Sequence, residues 1–201
     1  MKLLISDKEL YFDNVNISSS TLIGKILEEA ERHEQIFSHI IVDGIEVFEN
    51  IEEYIEDHLQ TINYIELKFI TLDELVMGIM QSTSEYVERA LPELRLLSEE
   101  CYQDPGASTW GKLEQLMEGI QWFEQTANFI LQNQEKLIQI QIDPKFFSFT
   151  NEVKIISEAV EGKDFILLGD IVQYEIIPKF DALSDQISTI ISKEVQAYDI
   201  N

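Results

Sequence analysis

The residues that could carry nucleophilic or metal chemistry are few and scattered along this chain. Its only cysteine is Cys101, and its three histidines are His33, His39 and His58. No two histidines stand three or four residues apart as zinc ligands on a helix do, and no cysteine partners them. No histidine lies near Cys101 in sequence to activate its thiol. The spacing therefore predicts no catalytic residue, no metal ligand and no cofactor site.

Acidic side chains are abundant, but their spacing does not indicate a particular reaction. The chain has 38 Asp and Glu against 14 Lys and Arg, a formal net charge of −24. Among so many carboxylates a close pair is expected by chance, so a pair alone does not indicate acid–base catalysis. The acidic run from Glu46 to Asp57 lacks the Asp-x-Asp-x-Asp-Gly rhythm of a calcium loop, and no glycine-rich phosphate loop occurs. We expect a protein that is not an enzyme.

The charge and the apolar runs also limit the partners and the location. Nucleic acids and anionic membranes are bound through Lys and Arg, so we expect no direct nucleic acid partner and no membrane partner. No apolar run reaches the 18 or so residues of a membrane span, and the run after Met1 is too short for a signal peptide. A single cysteine fits a reducing compartment. These features predict a cytoplasmic protein.

The period of the apolar residues changes near Thr71, which predicts two domains. Before Thr71 apolar and polar residues alternate between tight turns, one of them Asp43-Gly44, and after it only helical spacing occurs. The first part reads as strand, strand, helix, strand, strand, short helix, strand. We therefore expect an α+β protein with domains at residues 1–71 and 72–201.

The order of elements in residues 1–71 resembles the ubiquitin-like β-grasp superfamily. Ile40-Ile41-Val42-Asp43-Gly44 is similar to an apolar strand of that fold that ends at a glycine turn. Ile51-Glu52-Glu53-Tyr54 resembles its Leu-Ser-Asp-Tyr turn, and Tyr64–Ile70 resembles its last strand. The resemblance implies a mixed sheet crossed by one helix, in a family of modifiers, adaptors and recognition modules. Here Thr71 continues into Leu72 without the Gly-Gly tail of the conjugated members, which excludes a covalent modifier.

Strand alternation assigns the side chains of this implied sheet to two faces. The face under the helix is predicted to carry Leu3, Ile5, Ile40, Val42, Ile65 and Leu67. The opposite face is predicted to carry Leu4, Tyr11, Ile41, Glu66 and Lys68. In ubiquitin-like domains that face commonly receives partners, so these five residues are the candidate interaction surface, with an apolar patch made by Leu4, Tyr11 and Ile41. The alternative is that the helical bundle of the same chain covers this patch.

Residues 72–201 are predicted to form an antiparallel bundle of roughly four helices. The expected helices run from residue 72 to about 102, from 108 to about 135, from 151 to 161 and from 164 to about 198. Pro92 and Pro178 lie inside the first and last of them, where a kink or break is expected. This part vaguely resembles uncharacterised helical domains of bacterial proteins, a likeness that implies no activity.

Three classes of function are compatible with these features. The favoured one is a non-enzymatic protein–protein interaction or adaptor module. Its partner would be a basic protein, drawn by the acidic field, or a second copy in a homodimer. The alternative is a small-ligand-binding protein or an enzyme with a pocket between the two domains. The third is an acidic mimic of nucleic acid, which would need an ordered array of surface carboxylates.

Overall fold

The protein has the α+β fold class that the change of period predicts. It divides into two compact units. The computed structural model describes residues 1–103, 105–137 and 140–198, with side chains up to residue 193. The units comprise Met1–Glu74 and Leu75–Asn201. None of the helices in the described ranges is long and apolar enough to cross a membrane.

The first unit is a five-stranded mixed sheet with two helices. Its elements are β1 (Lys2–Ile5), β2 (Lys8–Tyr11), α1 (Ser19–Arg32), β3 (Ile36–Val42), β4 (Ile45–Val47), α2 (Ile51–His58) and β5 (Tyr64–Ile70). The strand order is β2-β1-β5-β3-β4, with β1 and β5 parallel and the other pairs antiparallel. The β3–β4 hairpin turns at Asp43 and Gly44, both with positive φ (48° and 91°), which is the backbone that an Asp-Gly turn favours.

One face of this sheet forms the core of the unit. The six side chains that alternation predicts to point inward are all buried: Leu3, Ile5, Ile40, Val42, Ile65 and Leu67. They join Leu22 and Ile26 of α1 and Ile55 of α2 in one apolar cluster. The Ser18 side chain starts α1, because its Oγ accepts a hydrogen bond from the Thr21 N–H at 3.2 Å.

The second unit is helical, and no strand occurs in its described residues. Its elements are α3 (Leu72–Cys101), α4 (Ala107–Asn133), a 3-10 turn (Pro144–Phe147), α5 (Thr150–Gly162), α6 (Phe165–Ile171), a π-helical turn (Val172–Ile176) and α7 (Ile177–Tyr198). The expected four-helix bundle is not confirmed, because the last predicted helix is built from three pieces. The π-helical turn ends two residues before Pro178, which has no N–H, and the Ile177 N–H donates to the Val172 carbonyl five residues back. The first helix, α3, runs through Pro92 without a break.

Aromatic side chains fill the centre of the helical unit. Phe123, Phe147, Phe149 and Phe180 are fully buried, and the Phe123 ring lies 5.4–6.1 Å from the other three ring centroids. The carboxylate of Glu124, next to Phe123, accepts the Phe149 N–H at 2.7 Å and the Thr150 hydroxyl at 3.2 Å. A negative charge there satisfies free donors at the start of α5 and complements the helix dipole.

Candidate functional site

A long cavity in the helical unit is a trough between α3 and α4, here called the α3–α4 groove. It encloses about 790 Å³. Its lining residues on α3 run from Ser82 to Leu97, which at 1.5 Å per residue is a length of about 22 Å. The groove lies wholly within the helical unit.

The two helices run in opposite directions along this groove, and Tyr86 of α3 packs on Gly119 of α4. Glu100 near the end of α3 contacts Lys112 near the start of α4, whereas Tyr86, earlier in α3, contacts Gln115 and Gly119. The Tyr86 ring lies across Gly119 so closely that a Cβ at position 119 would be 1.8 Å from the Tyr86 hydroxyl oxygen. Glycine at this position therefore lets the tyrosine ring lie against the backbone of α4.

The floor of the groove is apolar and its rim is charged. Leu94, Leu97 and Leu116 are buried at the floor, and Ala90 and Trp122 are half-buried beside them. Arg89, Glu93 and Glu118 are exposed along the rim. This combination suits an elongated ligand with one apolar face and polar edges.

The two cationic side chains of the groove, Arg89 and Lys112, differ in whether a carboxylate neutralises them. Lys112 is only 17% exposed and its ammonium group binds the Glu100 carboxylate at 2.5 Å, and the hydrogen bonds from Lys112 and Thr109 lower the pKa of Glu100. Arg89 donates its Nε–H to the Glu85 carbonyl at 3.1 Å and has no ion pair with any described carboxylate. Its guanidinium group is therefore the exposed positive charge of the rim that is free to meet an anion.

Two titratable groups in and near the groove have raised pKa values. Burial, reinforced by the nearby Glu118 carboxylate, raises the pKa of Tyr86. Cys101 is buried outside the groove lining, and burial together with the charge of Glu100 raises its pKa to about 11, so the nucleophilic thiolate is scarce at neutral pH. In the described ranges no group of three His, Cys, Asp or Glu side chains is placed to hold a metal ion. What the groove offers is shape, apolar surface and charge.

The five sequence-predicted surface residues lie on the face of the sheet away from the core. A row across the strands reads Glu9, Leu4, Glu66, Ile41, Glu46, so Glu66 separates Leu4 from Ile41. Lys68 forms an ion pair with Glu66. Tyr11 lies on the edge strand β2, is 73% exposed and donates its hydroxyl to Glu9 at 2.6 Å. The structure thus brings Leu4, Ile41, Glu66 and Lys68 together, while charged side chains divide the expected apolar patch.

Sequence reasoning did not identify the α3–α4 groove. Trp122 packs against the apolar core of the helical unit and also lines the groove. The signal that was present is the pair of small residues, Ala90 and Gly119, within two otherwise bulky helical stretches. Their significance depends on which helices are neighbours, and a single sequence does not give that information.

Comparison with known proteins adds a family but no activity. The model of a family described as Domain of unknown function (DUF8042) matches residues 78–186, more than half of the chain. That segment contains every residue described above as lining the α3–α4 groove. No curated protein matches the chain, and no solved structure matches it.

Proposed function

The chain belongs to the DUF8042 family of domains of unknown function, and from that premise we propose that it is a non-enzymatic interaction module whose helical unit binds a helical segment of a partner protein. The observation that carries the proposal is the shape of the α3–α4 groove. A trough about 22 Å long between antiparallel helices matches about 15 residues of a third helix, which is about four turns. Helix-in-groove docking is a common mode of peptide recognition.

The lining of the groove supports a segment with a defined pattern. The half-buried side chains of the lining, Tyr86, Ala90 and Trp122, would contact apolar residues of the partner at positions i, i+3 or i+4, and i+7. Arg89 would meet an acidic residue, and Glu93 and Glu118 would meet basic ones. The second candidate function is binding of a small apolar ligand. The volume of about 790 Å³ lies within the usual range for ligand pockets, but the trough is long for a small molecule.

We extend the proposal to the first unit as a ubiquitin-like β-grasp that serves as a further recognition module. The strand order β2-β1-β5-β3-β4 and the packing of α1 on one face of the sheet support this assignment. Leu4, Tyr11, Ile41, Glu66 and Lys68 remain the proposed interaction surface of that sheet. A cytoplasmic location remains part of the proposal, because a lone buried cysteine fits a reducing compartment.

The test uses a photo-crosslinking amino acid in the full chain, in cells that make the protein naturally. Benzoylphenylalanine replaces Gln115, which is exposed in the groove lining, and in a matched chain it replaces Gln121, which is exposed on α4 outside the lining. We expect a crosslinked protein segment at position 115 only. Mass spectrometry of that adduct should identify a segment with apolar residues at helical spacing. A segment from this same chain, in an adduct of twice the chain's mass, would identify a homodimer.

The binding measurement then uses a synthetic peptide of the crosslinked segment. Ala90→Leu places a larger side chain in the half-buried floor, and Ala182→Leu makes the same change at an exposed position on α7. We expect Ala90→Leu to weaken peptide binding at least tenfold and Ala182→Leu to change it less than twofold. Equal affinity for both variants would refute the proposal. A small molecule retained in native mass spectra and displaced by Ala90→Leu would replace it with the second candidate.

A further inference from the structure

The first unit has a groove of its own, between α1 and α2, here called the α1–α2 groove. It encloses about 580 Å³ and is separate in sequence from the α3–α4 groove. Ile26 of α1 and Ile55 of α2 are buried at its floor. Ile23, Phe37 and Ile51 are half-buried along its walls.

Two large apolar side chains at this groove are exposed to solvent. Leu27 of α1 is 50% exposed, and Phe48, between β4 and α2, is 59% exposed. The Phe48 ring is held in place by stacking on His39, with 4.2 Å between ring centroids. Exposed apolar side chains grouped around a recess, rather than scattered singly, are typical of an interaction site.

The rim on the α2 side is acidic and carries no compensating charge. Glu52, Glu53 and Glu56 are exposed there, and none of them has an ion pair or hydrogen bond with a described residue. The chain from Glu46 to Asp57 holds six acidic residues and no Lys or Arg.

The α2 rim is uncompensated because the positive side chains of this unit are paired with glutamates elsewhere. Its five Lys and Arg side chains all form ion pairs with four other glutamates, Glu9, Glu28, Glu29 and Glu66. The cations are Lys2, Lys8, Lys25, Arg32 and Lys68. No Lys or Arg of the unit is therefore left to neutralise the α2 rim, so the negative charge of the rim faces solvent uncompensated.

We infer that the α1–α2 groove binds a basic amphipathic helix of a partner protein. The exposed Leu27 and Phe48 contact its apolar face together with the half-buried wall residues Ile23, Phe37 and Ile51. The Glu52, Glu53 and Glu56 carboxylates pair with Lys or Arg on its flanks. The eight residues of α2 are about 12 Å long, so the segment in contact is two to three helical turns. The groove thus selects a partner by charge complementarity as well as by apolar contact.

This inference goes beyond the proposed function, because it concerns different residues, a different unit and a partner of stated charge. The α3–α4 groove has a mixed rim with one free arginine, whereas the α1–α2 groove has only acidic groups at its rim. Variants of one groove leave the other intact. Failure at one site is therefore distinguishable from failure at the other.

The test measures binding of labelled helical peptides to the full chain by fluorescence anisotropy at about 150 mM salt, where long-range charge effects are screened beyond roughly 8 Å. The probe is a peptide of about 14 residues made of Leu, Ala and Lys, with leucines at i, i+4, i+7 and i+11. The first control peptide has the same composition in an order that spreads the leucines around the helix. We expect the amphipathic peptide to bind at least tenfold more tightly.

Two sets of variants separate site binding from general attraction to an acidic protein. Replacing Glu52, Glu53 and Glu56 together by Gln should weaken binding about tenfold, because three nearby charges are lost. The control replaces Glu85, Glu88 and Glu99 by Gln, which are exposed on α3 outside both grooves, and should change binding less than twofold. For the apolar contact, Leu27→Ala should weaken binding several-fold, and Leu131→Ala, at a residue that is 60% exposed on α4, should not.

Three results would overturn the inference. The first is equal binding of the amphipathic and reordered peptides, and the second is an equal loss with the two triple variants, since either result means diffuse attraction to a polyanion. The third is weaker peptide binding by the Ala90→Leu chain together with unchanged binding by the chain in which Glu52, Glu53 and Glu56 are replaced. That result would place the peptide in the α3–α4 groove. A drop confined to the variants of the α1–α2 groove supports it.

Discussion

Gly119 gives the sharpest test of how the helical unit is packed. The Tyr86 ring lies over this glycine, and a Cβ at position 119 would be 1.8 Å from the hydroxyl oxygen and 2.4 Å from the carbon that bears it. Contacts this short require the ring to move. The ring packs edge-on against Phe123 at 5.5 Å and tilted against Phe180 at 6.3 Å, so movement disturbs the aromatic centre.

The expected change in the free energy of unfolding on Gly119→Ala combines two destabilising effects with one stabilising effect. Overpacking a filled site costs about 1–3 kcal/mol. Loss of the aromatic contacts of Tyr86 costs about 0.5–1.5 kcal/mol. The higher helix propensity of alanine returns up to about 1 kcal/mol. The net expectation is a decrease of about 2 kcal/mol in the free energy of unfolding, and a narrower α3–α4 groove because the displaced ring lines it.

The assay is urea unfolding followed by tryptophan fluorescence. The only tryptophans, Trp110 and Trp122, both lie on α4, so the signal reports on the helical unit. Gly111→Ala is the matched control, because Gly111 is on the same helix and a Cβ there would meet nothing within 4 Å. Gly111→Ala should leave stability unchanged or raise it by up to about 1 kcal/mol.

A second background isolates the tyrosine as the cause. In a Tyr86→Leu chain the shorter side chain no longer reaches position 119, so adding Gly119→Ala should be neutral or slightly stabilising. The coupling between the two substitutions should then be about 2 kcal/mol. Equal destabilisation by Gly119→Ala in both backgrounds, or the same effect at Gly111, would show that the reasoning about this contact is wrong.

Three further outcomes are expected. The pKa of Cys101 is raised from 9.0 to about 11, so at pH 8 its thiol should react with iodoacetamide about a hundredfold more slowly than an ordinary thiol. The rate should rise about tenfold for each pH unit up to about pH 11. A fast reaction at pH 8 in the folded chain would contradict the burial of Cys101. Glu124→Gln should lower the free energy of unfolding by about 1–2 kcal/mol because the start of α5 loses its charged acceptor, whereas Glu114→Gln, exposed on the same helix, should have no measurable effect in the same urea assay. The thermal midpoint should rise between about 10 mM and 150 mM salt, since screening relieves the repulsion of a net charge of −24; a flat or falling midpoint would indicate that ion pairs dominate.

Features set by near neighbours in sequence could be predicted from the sequence. The two-residue alternation around Ile40 and Val42 predicts which side chains are buried, because successive residues of a strand point to opposite faces. The Asp43-Gly44 turn follows from the positive φ that its backbone needs. These patterns were enough for the α+β class and for the inward face of the sheet.

Features that depend on distant neighbours could not be predicted in the same way. Pro178 indicates an irregularity in its helix, yet the π-helical turn at Val172–Ile176 shows how the helix accommodates it. Leu4 and Ile41 were correctly placed on one face, but the strand order puts Glu66 between them. The alternation within one strand does not indicate which distant strand lies beside it. The α3–α4 groove likewise needs α4 to run back along α3 before Ala90 and Gly119 face the same space.

The net charge of −24 is a poor guide to partners until the positions of the cations are known. In the first unit every Lys and Arg is engaged with a glutamate of α1, β2 or β5, which leaves the α2 rim as unbalanced negative charge beside apolar surface. In the helical unit Arg89 stands free on the rim of the α3–α4 groove, so that groove is less acidic than the chain as a whole. A basic partner is therefore favoured at the α1–α2 groove specifically. The same bulk charge gives no reason to expect a wholly basic partner at the α3–α4 groove, because its rim carries Arg89 as well as Glu93 and Glu118 and so matches a segment of mixed charge.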